Sequence, residues 1–386
     1  MPDRPEQDNT LPFLPYGKQE ICDADVKAVV EALCSGWLTT GPRVPEFEKA
    51  FAQSCGAREG VAVNSGTAAL HAAMRGINLK PGDEVIVPAI TFAASSNAAI
   101  YESGVPVFAD VEPDTMLVDP ASVAARITPK TRAIVAVDYA GQPADYDALR
   151  ALARQHGLFL IADACHAPGA TYKGRRVGTL GDISCFSFHP VKHLTTCEGG
   201  MALTDDAEMA AHMRRFRNHG IDSDHRSREK SGTHAYDMRE LGYNYRLPDV
   251  QCALGLAQLT RLKGWVAARQ RLAGLYDAAL EGVAAVEPLK THKDRTHAYH
   301  LYVVKLAAGI DRDQVFARLR SEGIGANVHY APVHLHSYYR GRGYAEGIAP
   351  VAEAASARLL TLPLFPAMAP GDVERVVGAL EKAVTS

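Results

Sequence analysis

No apolar run in the sequence approaches the roughly 20 residues a helix needs to cross a bilayer. The opening "MPDRPEQDNTLP" has neither the basic region nor the apolar stretch of a secretory signal, so a soluble protein is expected. Cysteines are seven and scattered (Cys22, Cys34, Cys55, Cys165, Cys185, Cys197, Cys252), with no C-x-x-C pair. That spacing suits neither a disulfide framework nor a zinc cage, and it fits reduced thiols in the cytoplasm. There is no H-E-x-x-H, and the sets His292, His297, His300 and His329, His334, His336 read as surface or loop residues, so no metal site is expected. No complete G-x-G-x-x-G follows the first strand-like run: "NSGTAAL" lacks it and "GIGAN" at 323 only begins it, which argues against a nicotinamide dehydrogenase. Charge of one sign is also missing. A formal net charge of −3 gives no general attraction for nucleic acid or an anionic membrane.

What is present is a globular composition, 47% hydrophobic and 22% charged over 386 residues, long enough for one large domain and a smaller one. Seven short apolar runs begin near residues 60, 84, 105, 133, 158, 183 and 199, and helical patterns such as "GTAALHAAMRGI" lie between most of them. This alternation predicts an α/β layered fold whose sheet is covered on both faces. The last two runs lie too close for a helical crossover, so one antiparallel pair is expected in a mostly parallel sheet. From Asp249 one long helical pattern runs to near Gly282, and "HLYVVKL", "ANVHYAPV" and "PGDVERVVGALEKAV" then suggest a smaller α+β domain. The division read from this texture is an N-terminal arm over 1–20, a large domain over 21–258 and a small domain over 259–386.

Three places could carry chemistry. The first strand runs into Ser65, Gly66 and Thr67 at a helix start, where free N–H groups and a hydroxyl suit a phosphate; an ordinary N-cap is the plainer alternative. Asp163 ends the run "LFLIAD", at the edge of a parallel sheet that usually carries function, and a helix N-cap is again the alternative. Lys192, in "SFHPVKHLTTCEGGM", stands in a narrow connection between two strand-like runs, where a surface lysine would be the default. A lysine near a carbonyl forms a Schiff base, as it does with pyridoxal phosphate. In one constellation, Thr67 and Ser187 would hold the phosphate, Asp163 would keep the pyridine nitrogen protonated, and Lys192 would carry the aldehyde carbon.

The segments "NSGTAALHAAM", "PGDEVIVPAITFAASSNAAIYESGVPVFADVEPDT", "ADACHAPGATYKGRRVGTLGDISCFSFHPVKHLTTCEGGM" and "LGYNYRLPDVQCALGLAQL" together resemble the nucleotide-sugar aminotransferases of the DegT type. The resemblance runs from "LPYGKQEI" to "LPLFPAM". It implies the aspartate-aminotransferase fold (PLP fold type I), a large domain with a seven-stranded mostly parallel sheet and a smaller α+β C-terminal domain, with pyridoxal 5'-phosphate as cofactor. Lys192 then matches the Schiff-base lysine, Gly66, Thr67 and Ser187 the phosphate contacts, and Asp163 the pyridine partner. Phe92 falls where an aromatic ring stacks on the cofactor, although a core phenylalanine would look the same in sequence. His166, where many relatives have glutamine, would lie beside the cofactor. Asn244 in "GYNYR" matches a residue that reaches the neighbouring subunit's phosphate, which implies a homodimer with shared active sites; alone, the stretch reads as a turn and helix start.

On the sugar side the resemblance points to Tyr16, to Leu38, Thr39, Thr40 and Gly41 in "GWLTTGP", to Ser65, and to His329 and Tyr330 in "NVHYAPV". Apart from Ser65, each could equally be a plain loop with aromatic packing. Some relatives replace the lysine by histidine and become dehydratases; here His193 follows Lys192, and the lysine is present. Within the family the "YGKQ" start and "SFHPVKHLTTCEGGM" look most like the aminotransferase of the pseudaminic acid pathway, which aminates C4 of a UDP-linked 6-deoxy N-acetylated sugar with L-glutamate as the usual family donor. Relatives acting on other GDP-, UDP- or dTDP-linked keto sugars are the alternative. The non-enzyme rival is a regulatory protein that keeps the cofactor fold, against which the intact lysine, aspartate and phosphate turn argue.

Overall fold

The seven apolar runs form the seven strands of one sheet: β1 (Glu59–Val63), β2 (Glu84–Pro88), β3 (Val105–Ala109), β4 (Thr131–Val137), β5 (Phe159–Asp163), β8 (Ile183–Ser187) and β9 (Gly200–Thr204). The computed structural model describes residues 12–223, 228 and 232–385, so the first eleven residues of the expected N-terminal arm lie outside the described residues. Strand order is β1-β9-β8-β5-β4-β2-β3. β2, β3, β4, β5 and β8 pair in parallel, and β9 runs antiparallel to both β8 and β1. The expected antiparallel pair is therefore one of two, because β9 inserts between β8 and the first strand. A two-residue-strand hairpin, β6 (Thr171–Tyr172) and β7 (Arg175–Arg176), turns at Lys173 and Gly174, both at positive φ.

Both faces of the sheet are apolar. Val61, Val63, Val85, Val87, Ala133 and Val135 pack into one core, and the alternate residues Ala62, Ile86, Ile134 and Ala136 into another. Side chains alternate across a strand, so unbroken apolar runs can be buried only where helices cover both sides. The crossover helices Gly66–Gly76, Ala94–Tyr101, Pro120–Ala124 and Tyr146–His156 return the chain between successive strands up to β5.

The long helical pattern after Asp249 is not one helix but two, Asp249–Leu259 and Leu262–Ala279. At the junction the Thr260 hydroxyl bonds back to the Ala257 carbonyl (2.7 Å), and Arg261 reaches the fully buried Asp25 (2.6 Å). Gln258 also donates to Asp25 (2.9 Å). A buried carboxylate left without partners would cost several kcal/mol, more than a helix gains by continuing one turn. The second helix begins against the sheet's core through Trp265 and Val266 and ends in a third core through Leu272, Ala273 and Tyr276. That third core lies under an antiparallel sheet of β10 (Val286–Pro288), β11 (Tyr302–Leu306) and β12 (Leu359–Leu362), with the helices Arg312–Ser321 and Pro370–Thr385. Leu14 joins it by bridging to Ile324, so the described part of the N-terminal segment packs on the C-terminal end of the chain.

Arg269, 1% exposed, sits midway along the bridging helix. Its Nη1 donates to the carbonyls of Leu364 (2.8 Å), Tyr299 (3.2 Å) and His300 (3.3 Å). Burial pulls the guanidinium down to about 10, so it remains a cation at neutral pH. Arg269→Met removes those donors while keeping much of the volume. It is expected to cost about 3 kcal/mol, read as a lower denaturant midpoint at an unchanged slope.

Candidate active site

The C-terminal ends of β1, β5 and β8 meet at one edge, where ligands of open α/β sheets bind. Register places Asp163 opposite Cys185, and Gly200 opposite both Ser187 and Val63. The second glycine of "EGGM" has a steric reason: a Cβ on Gly200 would lie 2.3 Å from the Ser65 carbonyl oxygen. Gly66 has another, since its Cβ would lie 2.7 Å from the Ser187 Cβ. Ser65 is the N-cap of the helix Gly66–Gly76, its Oγ accepting from the Ala68 N–H (3.0 Å).

These ends frame a cavity of about 400 Å³. Of the residues expected from sequence, Tyr16, Ser65, Gly66, Thr67, Phe92, Asp163, His166, Ser187, Lys192, His329 and Tyr330 line it. Asp163 is 6% exposed; its Oδ2 accepts from the Ser95 hydroxyl (2.6 Å) and its Oδ1 from the Cys165 N–H (3.3 Å). It caps no helix, since a turn follows β5. Phe92 is 59% exposed and belongs to no core, its ring 6.1 Å from that of Tyr330. His166 is buried, with Nε2 3.3 Å from the Tyr330 hydroxyl and Nδ1 without a partner. The Tyr16 ring stands 5.4 Å from that of His329, which bonds Thr361 through Nδ1 (2.9 Å).

Other expected residues are not brought into this cavity by the single chain. Asn244 is exposed, and its carbonyl accepts from Asn64 Nδ2 (3.4 Å). The segment Leu38–Gly41 is pinned to the start of the helix Asp249–Leu259, with the Gly41 N–H donating to Asp249 Oδ2 (2.6 Å) and the Asp249 N–H to the Leu38 carbonyl (3.0 Å). Thr39 and Leu38 are exposed there, and Thr40 lines a separate cavity of about 360 Å³ with Arg214, Arg217 and Arg246.

Sequence reading missed Thr91, Ser95, Cys165, His189, Glu198 and His300. All but Ser95 line the cavity, and Ser95 holds Asp163. His297, His300 and His334, read as surface or loop residues, are all buried. His334 pairs with Glu353 (2.8 Å), while the loop carrying His297 and His300 is drawn inward by Arg269. Aromatic spacing in "THAYHLY" was the signal, but nothing local distinguishes it from a surface loop. Among the described residues no group of three or more His, Cys, Asp and Glu is arranged to hold a metal ion.

The donor set fits a phosphorylated pyridine aldehyde. Gly66 and Thr67 begin a helix whose first N–H groups have no intrahelical acceptor, and the missing Cβ of Gly66 brings that turn against Ser187 with no side chain between them. The buried carboxylate of Asp163 suits a ring nitrogen that must stay protonated, and Phe92 offers an apolar face. Lys192 supplies the amine. Burial pulls it from the usual lysine range down to about 8, against the opposing pull of Cys165 and Asp163. Burial also holds His166 and His300 well below the ordinary histidine range, so both rings are neutral near pH 7. The neutral fraction of Lys192 therefore rises as pH climbs through about 8. In cofactor-free protein, reductive methylation of Lys192, followed by peptide mass, should speed up about tenfold per pH unit below that point and level off above it.

Against known proteins, residues 19–381 match the model of the DegT/DnrJ/EryC1/StrS aminotransferase family. The spore coat polysaccharide biosynthesis protein SpsC of Bacillus subtilis (strain 168) is 42% identical over 378 residues, which cover 96% of this chain and 97% of that protein. Among solved structures, Spr1654 from Streptococcus pneumoniae in its PMP form superposes with a TM-score of 0.92 at 31% identity, covering 97% of this chain and 99% of that one. The same protein in its PLP form gives 0.90 at 30%, with the same coverage. Helicobacter pylori PseC, an aminotransferase involved in the biosynthesis of pseudoaminic acid, gives 0.91 at 29%, covering 97% of this chain and 99% of that one. The chain belongs to the DegT/DnrJ/EryC1/StrS aminotransferase family, with the PLP type I fold and pyridoxal 5'-phosphate as its cofactor.

Proposed function

We propose that the protein transfers an amino group from L-glutamate to the 4-keto carbon of a nucleotide-linked sugar, a UDP-linked 6-deoxy N-acetylated sugar of the pseudaminic acid type. The observation that carries this reading is one cavity holding Lys192, Asp163, Gly66, Thr67 and Ser187 together, with Tyr16, His329 and Tyr330 lining it as well. The likeness to PseC supports the sugar. The higher identity to SpsC favours a second reading, another GDP-, UDP- or dTDP-linked keto sugar made for a polysaccharide.

When bound, pyridoxal phosphate supplies a carbonyl for amine exchange and a protonated ring that draws electron density from the donor's α-carbon. With that group bound, Lys192 Nζ would carry the proton from the donor's α-carbon to the cofactor's aldehyde-derived carbon, and in the second half-reaction from there to the sugar carbon, so that the amine ends the cycle as it began. Asp163, held by Ser95 and the Cys165 N–H, would oppose the cationic ring nitrogen. Gly66, Thr67 and Ser187 would hold the phosphate, and Phe92 and His166 would flank the ring. Donor and acceptor use one site in turn, which gives ping-pong kinetics.

The site is read as shared between two copies of the chain, divided near residue 258 into a large cofactor domain and a small C-terminal domain. Supporting this, Asn244 and Leu38 lie exposed beside the large apolar side chains Trp37, Leu241 and Tyr243, each at least 40% exposed, as expected of surface that meets a second copy.

Lys192→Ala should abolish turnover together with the absorbance of lysine-bound cofactor, while Asp163→Ala should lower kcat by about 100-fold or more, both measured on purified protein. Transaminase activity at the parental rate in the Lys192 variant would remove that residue from its role. Substrate class is tested in reverse, with a panel of UDP-, GDP- and dTDP-linked amino sugars and 2-oxoglutarate. Conversion of UDP-linked 4-amino sugars is expected; reaction of GDP- or dTDP-sugars alone would select the second reading.

A further inference from the structure

We propose that His300 is a positioning residue for Lys192, holding the amine in place through its ring nitrogen. The proposal rests on Lys192 being the amine that engages the cofactor. Lys192 Nζ lies 3.2 Å from His300 Nε2. An ammonium has only donors, so Nε2 accepts and the ring hydrogen sits on Nδ1. That Nδ1 is buried and has no partner. The bare Nδ1 is not peculiar to His300, since His166, His193 and His334 leave theirs bare as well. What sets His300 apart is the partner of its other nitrogen: His193 Nε2 meets the Ala298 carbonyl (2.9 Å) and His334 Nε2 meets Glu353 (2.8 Å), whereas His300 Nε2 meets the reactive amine.

The ring is held from its backbone. Arg269 grips the carbonyl of His300 and that of Tyr299 before it, the Leu301 N–H donates to the Ala140 carbonyl (3.1 Å), and the Ala298 N–H to the Gly141 carbonyl (2.8 Å). Gly141 has φ +112, and a Cβ there would fall 3.0 Å from the His300 backbone nitrogen and 2.9 Å from the His166 carbonyl oxygen. The acceptor is thus fixed to the end of β4, whereas the lysine reaches it across four rotatable side-chain bonds. Free, such a side chain samples many rotamers. A fixed acceptor narrows the positions of the amine before it meets a carbonyl or an α-proton, which is where preorganisation speeds a reaction. His300 contributes by holding Lys192, not by touching the substrate.

The test compares cofactor-free His300→Phe, which keeps a ring without an acceptor, with His300→Gln, whose carbonyl can stand near the Nε2 position. Each is mixed with pyridoxal phosphate, and capture by Lys192 is followed by absorbance and by borohydride trapping with peptide mass; kcat and the KM for glutamate are then measured on the loaded proteins. Expected is capture slowed about tenfold or more in the phenylalanine variant, kcat lowered in step, KM within about twofold, and most of both rates regained with glutamine. Capture at the parental rate by the phenylalanine variant, or glutamine no better than phenylalanine, overturns the proposal. Should the phenylalanine variant fail to fold, His300→Leu replaces it in the same comparison. Lys192→Ala run alongside separates the two levels: if it still gives the lysine-type adduct, the fault lies in the assignment of Lys192.

Discussion

A lysine that must shed its proton near neutrality has to leave water without being locked to a carboxylate. Lys192 meets both demands: burial brings it to about 8, and the group it touches is a neutral imidazole. The nearby Asp163 is satisfied by a hydroxyl and a backbone N–H instead. Were the carboxylate paired directly with the amine, the ion pair would raise the lysine and leave the aspartate less free to oppose a charged ring.

Keeping these groups apart yet close is done with backbone more than with side chains. Gly66 and Gly200 let the start of the helix Gly66–Gly76, β8 and β9 crowd against one another at the phosphate end. Gly141 does the same at the other side, where the loop carrying His300 passes the backbone of His166. Arg269 then ties that loop to Leu364, from a helix that belongs to two cores at once. Chemistry at the large sheet is therefore mechanically joined to the C-terminal sheet, and a shift of one relative to the other would be felt at the lysine.

The surface around Asn244 and Thr40 follows a different logic. Its polar groups are tied down locally, Arg246 to Asn218 (2.9 Å) and Gly41 to Asp249, while large apolar side chains nearby stay exposed. A rigid, partly apolar rim of this kind is economical only if something covers it, and a second copy of the chain, as in the proposed dimer, would set Asn244 opposite a neighbouring cavity.

Much was legible in the residues themselves. Strands of the large sheet could be read because fully apolar β-branched runs have few other uses, and Lys192, Asp163 and the Ser-Gly-Thr turn because strand ends, helix starts and short connections are local events. The split at Thr260–Arg261 was not legible, since the helical pattern continues and only the distant Asp25 explains the break. Nor was His300, about a hundred residues beyond the lysine it touches, in a stretch that looks like any aromatic loop. Local spacing singled out Lys192, Asp163 and the Ser-Gly-Thr turn, and the resemblance along the chain told which chemistry they suit; which side chains stand around the amine depended on contacts between segments far apart in sequence, and those exist only once the cores have closed.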